Sequence, residues 1–374
     1  MKKNFHLATL FNIPIEINYS WFIILGLIVF SLAQGYFPYT DPELDISAHW
    51  LMAFISALLL FASLLAHELS HSVVAARNKL PIHGITLFVF GGVAHLEKEP
   101  ASPDVEFKMA LAGPLMSFTL ALAFFGLAKV FGWLGIPKPF ISITNYLLLL
   151  NLVVGIFNLI PGFPLDGGRI LRAALWNFYQ DVRKATAIAS ALGKAFAFLL
   201  IAVGFLELIT GSLISGIWLI FIGLFLQEAA DTSYRQVAMK KLLSGIRVGS
   251  FMTKNVITVP ADIPLDRLID EFFFKYRHAS FPVIEEDKLL GLITLHDVKD
   301  IPREKWGETA AKTIMAPINK KLITSKETDA LDALAKLAGN GIGRLLVIED
   351  QKLIGIVSQR DIMRLFQFKA EIEG

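Results

Sequence analysis

Long apolar runs dominate the first 230 or so residues of the chain, and most are long enough to form membrane-crossing helices. A helix needs about 20 mostly apolar residues to cross the hydrocarbon core of a bilayer. Six stretches are candidates, the last of them short: 19–36, 49–77, 107–131, 141–160, 186–209 and 213–229. Only the segment "TGS" at 210–212 separates the fifth stretch from the sixth. The pattern predicts a multi-pass α-helical membrane protein with about six transmembrane helices.

A different pattern occupies residues 80–98, between the second and third apolar runs. This stretch is rich in β-branched and aromatic residues and is interrupted by Gly91 and Gly92. Such composition predicts one or two strands, arranged as a hairpin if there are two. Because an open strand edge cannot face lipid, we expect a small β element that is interfacial or sheltered by helices.

The last third of the chain contains an internal repeat. Residues 281–298 align without a gap with residues 345–362. Each copy follows a helical stretch, at 265–277 and at 329–339. Each unit is therefore predicted to run helix, strand, turn, strand and helix, which makes this region a duplicated α/β module.

These patterns divide the chain into a membrane part, a connector and two repeat units. The connector is basic and amphipathic, which favours a juxtamembrane linker held near anionic lipid. The predicted boundaries are 1–229 for the membrane domain, 230–247 for the linker, 248–305 for the first repeat unit and 306–374 for the second.

Composition agrees with a membrane protein. Hydrophobic residues make up 54% of the chain and charged residues only 18%, whereas soluble proteins carry about a quarter charged residues. The formal net charge of +2 is too small to indicate a nucleic-acid partner. The chain has no cysteine, which excludes disulfides and thiolate metal ligands and suits a protein that faces the cytosol.

Charges that flank the apolar runs predict the orientation in the membrane. The link 37–48 is acidic and lacks lysine and arginine, which predicts that it lies on the outer side. Lys129 and Lys138 also fall on the outer side and are exceptions to the charge asymmetry. The opposite side carries Lys2, Lys3, Arg77, Lys79, Lys98, Lys108, Arg169, Arg172, Arg183 and Lys184. We therefore expect a multi-pass protein of the cell membrane with both termini and the repeat module in the cytoplasm. The first apolar run begins only near residue 20 and shows no small-residue cleavage site, which favours a retained span over a signal peptide.

The second apolar run contains the sequence His67-Glu68-x-x-His71. On a helix the two histidines lie on one face, where they can share one zinc ion, and Glu68 can act as a general base. Chance occurrence, with histidines that only form hydrogen bonds, is the alternative. It is weakened because ionisable side chains inside a lipid-spanning segment are costly unless they are used or paired.

A third ligand is expected from another span, because zinc needs three protein ligands and an open position for water. The stretch 158–170, "NLIPGFPLDGGRI", ends the fourth apolar run and offers Asp166. Its prolines and glycines break the helix, and irregular backbone at membrane depth is tolerated where it lines a cavity or is buried in protein. The alternative is an exit loop with a surface aspartate. Asn158 can either donate to an oxyanion or link two helices.

Together these residues resemble the site-2 protease family, whose members are zinc metalloproteases that cleave transmembrane substrates within the membrane. The resemblance rests on the His-Glu-x-x-His motif and on Asn158-x-x-Pro161-x-x-Pro164-x-Asp166-Gly167. It implies one zinc ion per chain on His67, His71 and Asp166, with Glu68 activating water and Asn158 holding the substrate or the oxyanion. The implied substrate is a transmembrane protein, cleaved near the cytoplasmic side.

Two further segments fit the same family. The strand region with Gly91 and Gly92 resembles the part of these enzymes that is proposed to pair with an extended substrate. The segment "LAGPLMS" at 111–117 also fits, its Gly-Pro allowing close helix packing.

The C-terminal repeat resembles a tandem pair of CBS domains, so the expected fold continues as a cytosolic α/β tandem CBS module. Gly291-x-x-Thr294-x-x-Asp297 and Gly355-x-x-Ser358-x-x-Asp361 match the pattern by which that family contacts nucleotides. The resemblance implies ATP, ADP or AMP as ligand, bound through Thr294, Asp297, Ser358 and Asp361. It also implies a regulatory role, and paired modules favour a homodimer. The alternative is that the repeated motif is purely structural.

Two other classes of function remain open from the sequence. A CBS-gated transporter or channel would use the same intramembrane histidines and carboxylates as an ion path. An inactive scaffold is the other. The Asn-Pro-Gly context of Asp166 favours the protease, because a transporter has no reason to share it.

Overall fold

The computed structural model describes residues 4–89, 91–96, 100–286, 288–350 and 352–373. The chain divides into two compact units, the first ending at Val237 and the second beginning at Ala238. Of the basic residues used to predict the orientation, Lys2, Lys3 and Lys98 lie outside the described residues.

Six helices in the described part of the chain are long and apolar enough to cross a membrane, as predicted. We call them the first to sixth spans: Ser20–Thr40, Ile46–Arg77, Pro103–Trp133, Lys138–Asn158, Val182–Ile209 and Leu213–Leu243. The fifth and sixth spans separate at the predicted "TGS" break. The sixth helix, however, continues to Leu243, so most of the stretch predicted as a linker is helical. The domain boundaries themselves stay a prediction.

The first, second and fourth spans share an apolar core. Phe37, Met52, Leu60, Tyr146 and Leu147 are buried there. Many large apolar side chains on the spans point outward instead, among them Leu122, Phe198 and Ile214. Exposed apolar surface on this scale suits helices whose outer faces contact lipid.

A four-stranded sheet accompanies the spans. Its strands are β1 Asn4–Leu10, β2 Ile13–Asn18, β3 Ile82–Phe88 and β4 Gly91–Leu96, in the order β1-β2-β3-β4. The antiparallel pair β3–β4 is the predicted hairpin, and β2 lies parallel to β3. The hairpin β1–β2 was not predicted from the sequence. In β2 the side chains of Ile13, Ile15 and Ile17 are buried, so this strand packs one face inward.

The second unit contains the predicted duplicated module. Its strands are β5 Val259–Pro260, β6 Ser280–Glu285, β7 Lys288–Thr294, β8 Ala316–Pro317, β9 Ile323–Thr324, β10 Arg344–Glu349 and β11 Lys352–Ser358. One sheet has the order β5-β6-β7-β8 and the other β11-β10-β9.

The helices of this unit pack on the two sheets. The α-helices that follow the sixth span are Leu265–Leu268, Leu295–Lys299, Ala311–Ile314, Ala330–Gly339 and Gln359–Glu373. Leu265–Leu268 continues as a π-helical stretch, Ile269–Phe274.

The hairpins β6–β7 and β10–β11 are alike in detail. Their registers shift at equivalent places, between Val283 and Ile284 and between Val347 and Ile348. The gap-free sequence repeat is therefore a structural repeat.

Candidate metal centre

His67 and His71 lie one helical turn apart on the second span, and both are buried. Asp166 is the first residue of the helix Asp166–Tyr179, which follows the Pro/Gly-rich loop. Its Oδ2 lies 3.1 Å from Nε2 of His67 and 3.1 Å from Nε2 of His71. The structure thus brings together the three residues predicted as metal ligands, with all ligand atoms within 4.8 Å of one another.

Hydrogen bonds on the far side of each imidazole ring orient both histidines. Nδ1 of His71 lies 2.6 Å from the carbonyl oxygen of Met109, which can only accept, so Nδ1 carries the proton. In the neutral ring, Nε2 then presents a lone pair towards the Asp166 carboxylate. Nδ1 of His67 lies 2.8 Å from the hydroxyl of Ser117. The His71 lone pair and the carboxylate that it faces fit a bound cation, and such outer partners are typical of zinc-ligating histidines.

Gly113 on the third span packs directly against both imidazole rings. A Cβ atom at this position would lie 2.1 Å from Nε2 of His71 and 2.5 Å from Nε2 of His67. A zinc–imidazole bond is about 2.0–2.1 Å long. Any side chain at residue 113 would therefore overlap with both ligand nitrogens. The donor set, two imidazole nitrogens and a carboxylate oxygen, fits zinc.

The loop before Asp166 is packed tightly against the fifth span. The amide of Phe163 donates to the carbonyl of Ala189 at 3.1 Å. A Cβ on Gly193 would lie 2.0 Å from the Phe163 carbonyl oxygen, so the backbones approach as closely as glycine permits. The Phe163 side chain is buried with Ala189 and with Ala230 of the sixth span. Irregular backbone is thus sheltered by protein, as the sequence predicts.

Glu68 lies beneath strand β4. A Cβ on Gly92 would lie 2.6 Å from Cγ of Glu68 and 3.4 Å from Cδ2 of Leu87. Gly91, which begins the strand, has a φ of 120° that favours glycine. Within the described residues β4 is an outer strand of its sheet. The predicted base and the predicted strand are therefore neighbours.

Asn158 ends the fourth span, and its side chain binds its own helix. Its Nδ2 donates to the carbonyl of Val154 at 3.1 Å. The role of linking helices falls to Asn151, two turns earlier, whose Nδ2 lies 3.3 Å from the hydroxyl of Ser63 on the second span. The catalytic role of Asn158 stays a prediction.

The predicted nucleotide contacts form two matching helix caps. Asp297 Oδ2 accepts from the amide and the hydroxyl of Thr294, both at 2.8 Å, and its amide lies 3.3 Å from that hydroxyl. In the second copy, Asp361 Oδ2 accepts from the amide of Ser358 at 2.8 Å and from its hydroxyl at 2.7 Å, and the amide of Asp361 lies 3.3 Å from that hydroxyl. Such capping boxes satisfy the helix terminus without a ligand, so these residues have a structural role, and nucleotide contact stays a prediction.

Comparison with known proteins assigns both parts of the chain. The family described as Peptidase family M50 matches residues 55–138 and 136–202, which include the two histidines and Asp166. The CBS domain family matches residues 248–304 and 312–367.

Relatives match over almost the whole chain. Rip3 of Mycobacterium tuberculosis is 35% identical over 98% of this chain and 93% of its own length. The zinc metalloprotease MJ0392 of Methanocaldococcus jannaschii is 32% identical over 100% of both chains. The chain belongs to peptidase family M50. A solved structure of the site-2 protease from Methanocaldococcus jannaschii is 30% identical, covers 62% of this chain and 95% of its own, and has a TM-score of 0.42.

Membership in family M50, the site-2 protease family, confirms the expected enzyme class, a metalloprotease with a CBS pair. The expected fold is confirmed as well, with apolar spans followed by the duplicated module. The transporter and scaffold interpretations lose their support, because full-length relatives such as MJ0392 bear the name of zinc metalloproteases.

Proposed function

We propose that this protein is an intramembrane zinc protease that cleaves transmembrane proteins near the cytoplasmic side, with one zinc ion per chain on His67, His71 and Asp166. The observation that carries the proposal is the convergence of Nε2 of His67, Nε2 of His71 and the Asp166 carboxylate, whose ligand atoms lie within 4.8 Å of one another. Zinc in this position supplies a Lewis acid that acidifies water and polarises a carbonyl.

Glu68 is the general acid–base of the proposed reaction. It is adjacent to His67 in sequence and follows it along the same helix. Its carboxylate takes a proton from the attacking water and later passes it to the leaving amine of the cleaved peptide bond. The amide of Asn158 would exchange its bond to Val154 for the oxyanion that develops on the scissile carbonyl.

Strand β4 is the proposed docking edge for the substrate. A transmembrane helix has its carbonyl groups bonded internally, so the scissile segment must first unwind. An extended segment can then add to a free strand edge by main-chain hydrogen bonds. Gly91 and Gly92 carry no side chains, so the substrate backbone can approach close to Glu68.

The test is metal analysis and cleavage with purified protein in detergent. We expect stoichiometric zinc in the wild type and its loss in Asp166→Asn and in His71→Gln. A single-span model substrate with a helix-breaking Gly-Pro pair should be cleaved faster than the same substrate without it. Stoichiometric zinc in both ligand variants would contradict the proposed site.

The proposed orientation places both termini and the CBS pair in the cytoplasm. It is supported by the charge asymmetry between the acidic link 37–48 and the basic segments on the other side. Because the chain has no cysteine, a single introduced cysteine is the one thiol in the protein that a maleimide can label. In intact cells an impermeant maleimide should label Glu43→Cys and spare Lys352→Cys, and the reverse result would overturn the orientation.

The CBS pair is proposed to bind an adenine nucleotide, to regulate cleavage and to support a homodimer. The duplicated Gly-x-x-Thr/Ser-x-x-Asp motif supports the ligand class. Cleavage rates measured with ATP, ADP and AMP should differ from the rate without nucleotide, and equal rates would remove the support for regulation. Mass measurement in detergent tests the dimer.

A further inference from the structure

A buried ion pair joins the third span to the helix that carries Asp166. Glu106 is completely buried, and Arg172 is buried as well. Nε of Arg172 donates to Oε1 of Glu106 at 2.7 Å, and Nη2 donates to the same oxygen. The second carboxylate oxygen of Glu106 is buried and has no hydrogen-bond partner among the described residues.

On the third span, Glu106 belongs to the face that supports the two histidines. Met109, Gly113 and Ser117 follow it at spacings of three and four residues, which places all four on one side of a helix. All four are buried. Glu106 therefore lies on the same helix face as Met109 and Ser117, which bind Nδ1 of the two histidines.

Arg172, the other member of the ion pair, lies on the helix that begins at Asp166. Its guanidinium carbon lies 5.1 Å from the centre of the Phe163 ring, in the loop that leads into Asp166. Arg172 thus contacts both Glu106 and that loop.

We infer that the Glu106–Arg172 pair sets the position of the Asp166 carboxylate relative to the two histidines and so tunes metal affinity. The inference rests on the proposed function, since it takes these three residues as the zinc ligands. Neither Glu106 nor Arg172 touches the ligand atoms, so both are positioning residues. A planar guanidinium with two donors on one oxygen fixes orientation as well as distance.

Stability alone is a poor explanation for this pair. A buried ion pair loses much of its hydration, and replacing both partners with apolar residues is often neutral or stabilising. The second carboxylate oxygen of Glu106, buried without a hydrogen-bond partner among the described residues, further lowers the free energy of unfolding. If the pair positions Asp166, its removal should lower zinc affinity and should not lower the stability of the fold. A purely structural role does not predict this difference.

The test replaces both charges at once, in Glu106→Leu/Arg172→Met. We expect a thermal unfolding midpoint in detergent at or above the wild-type value, with zinc affinity in chelator competition lower by about 10- to 100-fold. The visible spectrum of the cobalt-substituted protein should also change, because it reports the ligand geometry. The control is Asp104→Asn/Lys108→Met, an exposed ion pair in the first turns of the same span, which should keep wild-type affinity.

A second variant covers the case in which the double variant does not fold. Arg172→Lys keeps the charge but loses the planar two-donor contact, and we expect about a tenfold loss of zinc affinity. Wild-type affinity and cobalt spectrum in either folded variant would overturn the inference.

Asp166→Asn, measured alongside, separates this inference from the proposed function. If zinc affinity is unchanged in Asp166→Asn, the ligand set itself is wrong. If Asp166→Asn loses zinc while the ion-pair variants keep it, only the positioning role fails.

Discussion

Gly113 faces His71 so closely that a Cβ atom on it would lie 2.1 Å from the ring nitrogen Nε2. This is the nitrogen that faces Asp166, because Nδ1 of the same ring binds the carbonyl of Met109. The third span therefore has two roles at the candidate metal centre. It orients the histidines through Met109 and Ser117, and at Gly113 it places no side chain against their Nε2 atoms.

Gly113→Ala should abolish zinc binding without unfolding the protein, because the added methyl occupies the space next to both ligand nitrogens. The zinc content of purified protein measures the effect. The matched control is Gly126→Ala on the same span, where a Cβ would meet nothing within 4 Å. There alanine should keep zinc and stabilise the helix by about 0.5–1 kcal/mol. Full zinc content in Gly113→Ala would disprove the proposed metal position.

Ser117→Ala should weaken zinc binding by about 10- to 100-fold, because the His67 ring loses the partner that fixes its orientation. Chelator competition measures the affinity. Thr119→Ala is the control, since the Thr119 hydroxyl is exposed and binds only the Leu115 carbonyl of its own helix. Equal affinities in the two variants would show that Ser117 does not act through His67.

Gly92→Ala should reduce cleavage while zinc content stays at the wild-type level, since the new methyl would displace Glu68 and not the ligands. Cleavage of the model substrate and metal analysis on the same sample separate the two effects. Gly126→Ala, where a Cβ would meet nothing within 4 Å, should leave cleavage nearly unchanged. Loss of zinc in Gly92→Ala would mean that β4 supports the metal centre itself.

The capping boxes of the CBS pair predict a stability effect without any ligand. Thr294→Ala and Ser358→Ala should each lower the free energy of unfolding of the second unit by about 1 kcal/mol, the usual contribution of such a cap. Chemical denaturation of the full-length protein measures it, with Thr294→Ser as the variant that keeps the hydroxyl. If Thr294→Ala and Thr294→Ser are equally stable, the cap contributes nothing.

Much of this structure is local in the sequence and could be predicted from it. Length and apolar character alone locate the spans, and a gap-free repeat locates the paired hairpins β6–β7 and β10–β11. The His-Glu-x-x-His spacing places two predicted ligands on one helix face, and the break in the helix near Asp166 indicates the third.

Other features depend on contacts between distant segments. The segment "LAGPLMS" suggested only close helix packing, and nothing local shows that Ser117 and Gly113 face the histidines. The sequence also does not show that Glu106 and Arg172 form an ion pair, because a charged residue near the end of a span usually lies in the flanking segment. The hairpin β1–β2 did leave a signal, the alternation Ile13, Ile15 and Ile17, which is typical of a strand with one buried face.

Glu68→Gln tests the central claim most directly, because the substitution keeps the shape of the side chain and removes its ability to accept a proton. Zinc content and cleavage of a transmembrane model substrate are measured on the same purified protein. We expect stoichiometric zinc with cleavage lower by at least about 100-fold, the usual contribution of a general acid–base group. Cleavage at the wild-type rate by zinc-loaded Glu68→Gln would contradict the proposed role of Glu68.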